Sequence, residues 1–392
     1  MKKQFLLFPK GMGGRWWLFR CIDFIVFLLH RRRPQQGLLI LKIDAIGDLI
    51  LFRSVLDDYL DAFSVDKSQV TIVGHDSWHS LAEPLLQGYR VVTLNPRAYE
   101  RQFWYRLKWS LWLANQNFKV ATCDIYFRKP LIADSMLYYT GASRVIVCKP
   151  YASDKTKHRF HYFAPLYTDV IDTGEDPTHE TIRHYRFISH ILNRFVTPRP
   201  LSIPWPSNQD PITTKPYVVI NFGSAESGRR WPFDRFIVMA RRILDQGYDV
   251  VFLGGPGELA YQSLLQDHLQ HPQVIDYIGK TKTLSDVLDV LKHADAVLTS
   301  ETGPGHFALA LQIPTLMLCG GGSYVTFSPY PEVIRTKTMH FLHHKMACYG
   351  CLWRCPYRTD STTAFPCVEK ISVEDAWEVF QTILNSSALA TN

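Results

Sequence analysis

Residues 37–56 read GLLILKIDAIGDLILFRSVL. An apolar run over 38–43 meets a polar break that holds Lys42, Asp44, Gly47 and Asp48, and a second apolar run follows at once. A short apolar run, a glycine-containing turn and a longer apolar stretch are the opening of a βαβ unit, with a strand over 38–43 and a helix over 48–62. Outward from there, 70–73, 91–94 and 145–147 read as further strands, and helical stretches fall around 100–116 and 130–140. Residues 197–216, TPRPLSIPWPSNQDPITTKP, hold six prolines in twenty positions and cannot form a regular element. Past them the rhythm restarts, with strands over 217–221, 250–253, 296–299 and 315–318, helices over 232–245, 257–269, 283–292 and 304–312, and a last helix over 373–386. A chain of 392 residues exceeds the usual size of one core. The pattern therefore predicts an α/β protein with two doubly wound Rossmann-like domains over 37–196 and 217–392, joined by the Pro-rich linker 197–216 and preceded by a segment over 1–36. Ligands of such sheets sit at the carboxyl ends of the strands, so the chemistry belongs in the loops that follow them.

Four of those loops carry the chemistry. In KIDAIGD, Gly47 permits a tight turn and the close approach of another group, and Asp48 falls at a helix start. A helix N-terminus keeps a carboxylate ionised, and an ionised carboxylate in a cleft is a general base; a purely structural N-cap is the competing reading. In NFGSAESGRRWP, Gly223 and Ser224 free backbone N–H groups, Arg229 and Arg230 offer guanidinium forks, and Pro232 suits a first helical turn. That composition predicts an anion or phosphate site, against a solvated basic loop. In GGPGE, Gly255 sits in a strand-to-helix turn that suits close approach to a nucleotide, and Glu258 either accepts from ribose hydroxyls or only favours the helix dipole. In SETGPGH, residues Glu301, Thr302, Gly303, Gly305 and His306 open an apolar helix whose exposed donors suit a diphosphate.

The order and spacing of LLILKIDAIGDLILFRSVL, GRRWPFDRF, VVFLGGPGE, IGKTKTLSDVLDVLKHADAVLTSETGPGHFALALQIPTL and a late cysteine cluster resemble glycosyltransferase family 9, the heptosyltransferases of lipopolysaccharide assembly, over about residues 37–380. The resemblance implies a GT-B fold with two domains facing a cleft, acceptor handled mainly by the N-terminal domain and nucleotide-sugar by the C-terminal one. By resemblance Asp48 matches the catalytic aspartate that activates the acceptor hydroxyl for inverting attack. Arg229 stands where the family typically has Lys, Glu301 replaces the usual Asp and Thr302 the common Ser. ADP-heptose is the default donor by resemblance alone. The acceptor is a lipopolysaccharide core or another lipid-linked surface glycan, and Gly47, Arg128 and Lys129 are its candidate contacts, a solvated loop being the alternative for the last two. A non-catalytic nucleotide- or glycan-binding subunit and a GT-B epimerase or hydrolase are the rival functions.

No two aspartates are separated by a single residue, so the chain lacks the DxD pattern that bridges a metal to a diphosphate, and no cofactor is expected in the chemistry. Cys348, Cys351, Cys355 and Cys367 have the spacing of a thiolate site for structural Zn, or less readily Fe; unpaired thiols or a disulfide are the competing reading.

The formal net charge of +7 is concentrated at the N-terminus, where eight basic side chains stand against Asp23 in residues 1–33 and the rest of the chain is balanced. A balanced body with a basic head argues against a nucleic-acid partner. The run WWLFRCIDFIVFLL is shorter than the roughly 20 residues of a transmembrane helix. Trp16, Trp17 and the Arg31, Arg32, Arg33 cluster instead predict an amphipathic helix on an anionic membrane surface, with a helix packed on the protein itself as the alternative. The run ends in HRRRP, a poor context for signal cleavage, so the expected location is cytoplasmic and peripheral, on the inner face of a bacterial cytoplasmic membrane.

Overall fold

The computed structural model describes residues 16–30, 34–207 and 209–390. The chain divides into two compact units. The first holds the stretch ending at Ala45 together with Val55–Glu175 and Arg183–Thr197; the second holds Ile46–Ser54, Asp176–Ile182 and everything from Pro198 onward.

Each unit is built on one six-stranded parallel sheet. In the first, β1 (Gln36–Lys42), β2 (Val70–His75), β3 (Arg90–Leu94), β4 (Phe118–Cys123), β5 (Arg144–Cys148) and β6 (Asp169–Ile171) lie in the order β3-β2-β1-β4-β5-β6. In the second, β7 (Tyr217–Asn221), β8 (Asp249–Gly254), β9 (Val274–Ile278), β10 (Ala296–Ser300), β11 (Thr315–Cys319) and β12 (Met339–His343) lie in the order β12-β11-β10-β7-β8-β9. The two orders are the same doubly wound topology, and in each the strand order reverses beside the first strand of the unit. Leu38 pairs with Val70 and with Val120 at one switch point, and Val219 pairs with Val251 and Val297 at the other. Buried strands of this kind need near-continuous apolar runs, which LLIL and YVVI supply.

All eight strands read from the sequence are present. The structure adds β4, β6, β9 and β12. The helix expected over 48–62 is two helices, Ile46–Arg53 and Asp58–Phe63, because the chain passes from the second unit to the first between Ser54 and Val55. The described residues of 197–216 form no helix or strand, yet they are not free of the second unit. Leu201 is buried, the Ile203 amide donates to the Ala310 carbonyl at 3.0 Å, and the Trp205 indole donates to Asp289 Oδ1 at 2.8 Å. The last helix, Val373–Ala390, packs Ala376, Phe380, Ile383 and Leu384 into the core of the second unit.

The N-terminal helix, Trp16–Leu29, buries Ile22 and Val26 in the first unit's core and leaves Phe24, Phe27, Leu28 and Leu29 exposed. Asp23 accepts a hydrogen bond from the Tyr139 hydroxyl at 2.6 Å, since packing through Ile22 and Val26 turns it inward. Among the described residues no helix is long and apolar enough to cross a membrane. The Arg31, Arg32, Arg33 cluster and the side chains of Trp16 and Trp17 lie outside the described residues.

Candidate functional site

In the second unit β10 runs into the helix Gly303–Ala310 through Glu301 and Thr302. Pro304 supplies a preset φ at the helix start and removes one donor. The first intrahelical bond joins the His306 amide to the Thr302 carbonyl at 3.1 Å, so the Gly303 and Gly305 amides precede it without an intrahelical partner. Gly305 is tightly enclosed: a Cβ there would lie 2.7 Å from Met317 Cε and 3.2 Å from the Ser300 carbonyl oxygen. The Thr302 hydroxyl does not cap the helix; it accepts from Asn221 Nδ2 at 3.0 Å, which ties the ends of β7 and β10 together.

The helix Ile46–Arg53, which opens the chain's first apolar motif, belongs to this unit and meets the same helix start. A Cβ on Gly47 would stand 3.0 Å from His306 Cδ2, and one on Gly303 would stand 3.5 Å from Ile46 Cγ2. The His306 ring therefore packs directly against Gly47 and leaves little room for a side chain there. Asp48, half-buried, lies in the first turn of the helix that Gly47 brings there. Two motifs some 250 residues apart in sequence thus share one end of the second unit.

His306 is buried, and its Nδ1 lies 2.7 Å from the Tyr330 hydroxyl. Burial, reinforced by the positive charge of Arg229, lowers its pKa to about 4. The Tyr330 phenol is itself pushed well up by burial, so the pair is uncharged at neutral pH.

Arg229 donates from Nη2 to the Glu301 carbonyl at 2.9 Å, approaches Glu301 Oε1 at 3.6 Å and lies over the Trp353 ring at 4.5 Å. Glu301 is only 2 % exposed, and neither carboxylate oxygen accepts a hydrogen bond of normal geometry. Burial raises its pKa; Arg229 opposes the rise, as do the nearby Gly320 amide and Ser328 hydroxyl. Arg230 is differently placed. It donates from Nε and Nη2 to the Ser224 carbonyl at 2.9 and 2.6 Å and pairs through Nη2 with Glu258 Oε1 at 3.1 Å. Glu258 Oε2 in turn accepts from the Gly255 amide at 3.0 Å, and its carboxylate rests against Gly223. The structure thus brings Gly223, Ser224, Arg230, Gly255 and Glu258 together as one tied loop pair. Arg229, Glu301, Thr302, Gly303, Gly305 and His306 form a second cluster with Gly47 and Asp48.

In the first unit the loops after the strands line a cavity of about 350 Å³ whose wall includes Asp44, His75, Arg97, Arg101, Arg128 and Lys129. Arg128 is buried, held by Asp134 Oδ1 at 2.9 Å from Nε and by the Cys148 carbonyl at 2.7 Å from Nη1, while its Nη2 has no hydrogen-bond partner. Lys129 is exposed. Gly47 belongs to the other unit and is not among these residues.

Sequence reading missed a buried network beside this cavity. Lys42, 1 % exposed, pairs with Asp44 Oδ2 at 2.8 Å and lies 3.6 Å from Asp124 Oδ1; His184 Nδ1 lies 2.8 Å from Asp124 Oδ2, and the Tyr59 hydroxyl donates to that oxygen at 2.9 Å. Burial alone would raise Asp124, but His184 and Lys42 outweigh it and hold the carboxyl below its ordinary range. Burial lowers the His184 pKa, and Asp124 opposes that shift. Lys42 and Asp44 were in the quoted motif; Asp124 follows a strand with no strong sequence signal. Trp353 and Tyr330, beside Arg229 and His306, were missed as well.

Cys348, Cys351, Cys355 and Cys367 are free. The segment they span closes over the second unit's glycine turn, where the Gly350 amide donates to the Gly321 carbonyl at 2.8 Å and Cys367 Sγ accepts from the Gly321 amide at 3.3 Å. Burial raises the Cys367 thiol, with smaller contributions from Cys348, Cys355 and Cys351 nearby. As the side chains stand, no group of three or more His, Cys, Asp or Glu among the described residues is close enough to hold a metal ion.

Residues 198–351 match the model of glycosyltransferase family 9 (heptosyltransferase). Lipopolysaccharide heptosyltransferase 3 of Escherichia coli is 27 % identical over 120 residues, 30 % of this chain and 35 % of that protein. The chain therefore aligns with about a third of the length of the curated relatives it matches. In structure, the ADP-heptose lipopolysaccharide heptosyltransferase II of E. coli superposes with a TM-score of 0.63 at 15 % identity, covering 90 % of this chain and 99 % of that one. The family 9 glycosyltransferase of Veillonella parvula does so with a TM-score of 0.66 at 17 % identity, covering 91 % and 99 %. These likenesses and the two doubly wound sheets bear out the α/β fold of GT-B type. The chain is thus similar to glycosyltransferase family 9 (heptosyltransferase) in the sequence of residues 198–351, and to a solved member of that family in fold over about nine-tenths of its length.

Proposed function

We propose that the chain is an inverting glycosyltransferase that moves a sugar, by default the heptose of ADP-heptose, onto a lipopolysaccharide core or another surface-glycan acceptor. The observation that carries the reading is the seating of Gly47 against His306, which puts Asp48 on the same end of the second unit as the amides of Gly303 and Gly305. In the step proposed, the Asp48 carboxylate takes the proton of an acceptor hydroxyl. The acceptor oxygen forms its bond to the anomeric carbon from the face opposite the diphosphate, and the carbon–oxygen bond to the diphosphate breaks with its electron pair leaving on the nucleotide. Preorganised donors that meet charge as it develops supply most of such a rate enhancement. Here they are the Arg229 guanidinium, the two glycine amides and the His306 ring. In the tautomer that the reading requires, His306 Nδ1 accepts from the Tyr330 phenol and Nε2, on the side that faces Gly47, carries the proton. Arg230, committed to Ser224 and Glu258, shapes the donor loop. The remaining donor contacts assigned are Gly223, Ser224, Gly255, Glu258, Glu301 and Thr302.

The acceptor's anionic groups are assigned to the first unit's cavity, where Arg128 has an unpartnered Nη2 and Lys129, Arg97 and Arg101 add positive charge. No cofactor takes part in the step. A structural Zn, or Fe, drawing Cys348, Cys351, Cys355 and Cys367 together is supported by their sequence spacing alone, four cysteines with a CxxC opening. A location on the cytoplasmic face of the membrane is supported by the exposed Phe24, Phe27, Leu28 and Leu29 and by the basic N-terminus. Calorimetric titration of the purified chain with ADP-, UDP-, GDP- and TDP-sugars tests the donor: saturable binding of ADP-heptose in preference to the others is expected, and a preference for another nucleotide overturns the donor assignment.

A further inference from the structure

The first unit carries a second cavity, of about 280 Å³, at the end of its sheet where strands begin: Gln35, Ser143 and Thr168 on its wall immediately precede β1, β5 and β6. The cavity assigned to the acceptor lies among residues that follow strands, so the two are separate. The N-terminal helix covers this one, with Phe19 and Asp23 one helical turn apart on its wall, and Tyr138, Tyr139 and Tyr162 complete an aromatic surround. Two charged groups stand in that surround. Asp23 accepts from Tyr139, and the buried Arg106, 2 % exposed, donates to Ser135 Oγ at 2.8 Å while its guanidinium lies 3.8 Å from the Phe19 ring. Their charges oppose each other, which favours an uncharged ligand. The Arg106 Nε makes no hydrogen bond and the Tyr138 phenol stands on the same wall, so a ligand with a hydroxyl or two has polar groups to meet there. An engineered apolar cavity of about 150 Å³ holds benzene, so one of about 280 Å³ holds an apolar body of roughly ten to twelve carbons.

We propose that this cavity binds a neutral single-chain amphiphile, its alkyl chain against the aromatic wall and a hydroxyl-bearing head against Asp23, Tyr138 and Arg106. Aromatic walls with a few placed polar groups are the usual make-up of small-molecule sites. The same helix exposes Phe24, Phe27, Leu28 and Leu29, which gives a bilayer-borne amphiphile a route to the cavity; free monomer in solution is the other source. The proposal does not depend on the sugar-transfer reading, because its readout is binding alone.

The test is calorimetric titration of the full chain with monoacylglycerols of six to sixteen carbons, kept monomeric, and separately with phosphatidylcholine vesicles containing them. Saturable binding is expected, with a negative heat-capacity change. Affinity should rise about fourfold per added methylene and level off near ten to twelve carbons. Saturable binding of monomers identifies a soluble source, and loading from vesicles alone identifies the bilayer; either supports the site. Ala142→Trp, which fills the cavity, should weaken binding at least tenfold, and Tyr138→Phe by several-fold at unchanged chain-length dependence. Absence of saturable binding from both sources, an affinity that keeps climbing with chain length, or equal binding by a folded Ala142→Trp protein and by Tyr138→Phe would overturn the proposal.

Discussion

Acidification should unfold this protein partly through one ring. His306 is buried against Tyr330 and within the field of Arg229, and its pKa falls from 6.5 to about 4. Between those two values the unfolded chain binds a proton at this ring and the folded protein does not, so stability drops as pH falls through that window. The contribution is intact above pH 6.5. At pH 5, about 1.5 units below the unfolded value and still above the folded one, the loss is about 2 kcal/mol at roughly 1.4 kcal/mol per unit. It levels off at about 3.5 kcal/mol below pH 4. Urea unfolding of the native chain and of His306→Gln at pH 7 and pH 5 isolates the ring, because every other titrating group cancels in the difference. The native protein should lose about 2 kcal/mol more than the variant across that interval. In parallel, the His306 ring signals in a proton NMR titration should stay those of the neutral form down to pH 5. Equal losses in the two proteins, or a His306 midpoint near 6.5, would refute the burial argument and with it the neutral ring assigned to the leaving diphosphate.

The two adjacent arginines should separate in binding: Arg229→Ala weakens nucleotide-diphosphate binding more than tenfold in calorimetry, whereas Arg230→Ala, which strands the Ser224 carbonyl and Glu258, costs about 2–3 kcal/mol in urea unfolding. Metal analysis of protein purified without added metal should find close to one equivalent of Zn or Fe; less than about a tenth of an equivalent leaves the four cysteines as plain thiols. Replacing Phe24, Phe27, Leu28 and Leu29 together by Ser should abolish sedimentation with anionic vesicles while the circular dichroism spectrum is retained, because Ile22 and Val26 on the buried side are untouched. Undiminished sedimentation would remove the membrane role of that helix.

Much of the fold was legible because buried parallel strands need continuous apolar runs, and LLIL, VVFL, AVLT and TLML advertise themselves. The strands that escaped do not. The segment FKVATC in β4 places an exposed Lys119 and the buried polar Thr122, whose hydroxyl donates to the Leu39 carbonyl at 3.2 Å, in the middle of a sheet. At a sheet edge, β9 is half-buried over most of its length and so shows no strong period. Missing β4 also hid Asp124 at its end, and therefore the network through which Lys42 and His184 are held. The loops carrying Arg229 and His306 were legible from their glycines and arginines. The difference between Arg229 and Arg230 was not, since only the folded chain shows which of them is bound to Glu258. Nor could periodicity reveal that residues 46–54 fold with the second unit: that depends on Gly47 meeting the ring of His306, a contact across some 250 residues of chain.

The central claim, that Asp48 is the base of an inverting sugar transfer, is tested most directly by single-turnover transfer from ADP-heptose to a truncated lipopolysaccharide core. Native protein and Asp48→Ala are compared, with nucleotide-diphosphate affinity measured on the same samples. Transfer with inverted anomeric configuration by the native chain is predicted, together with a loss of at least a thousandfold in the variant and an affinity kept within a few-fold. Turnover that survives the substitution unchanged, or a product of retained configuration, would contradict it.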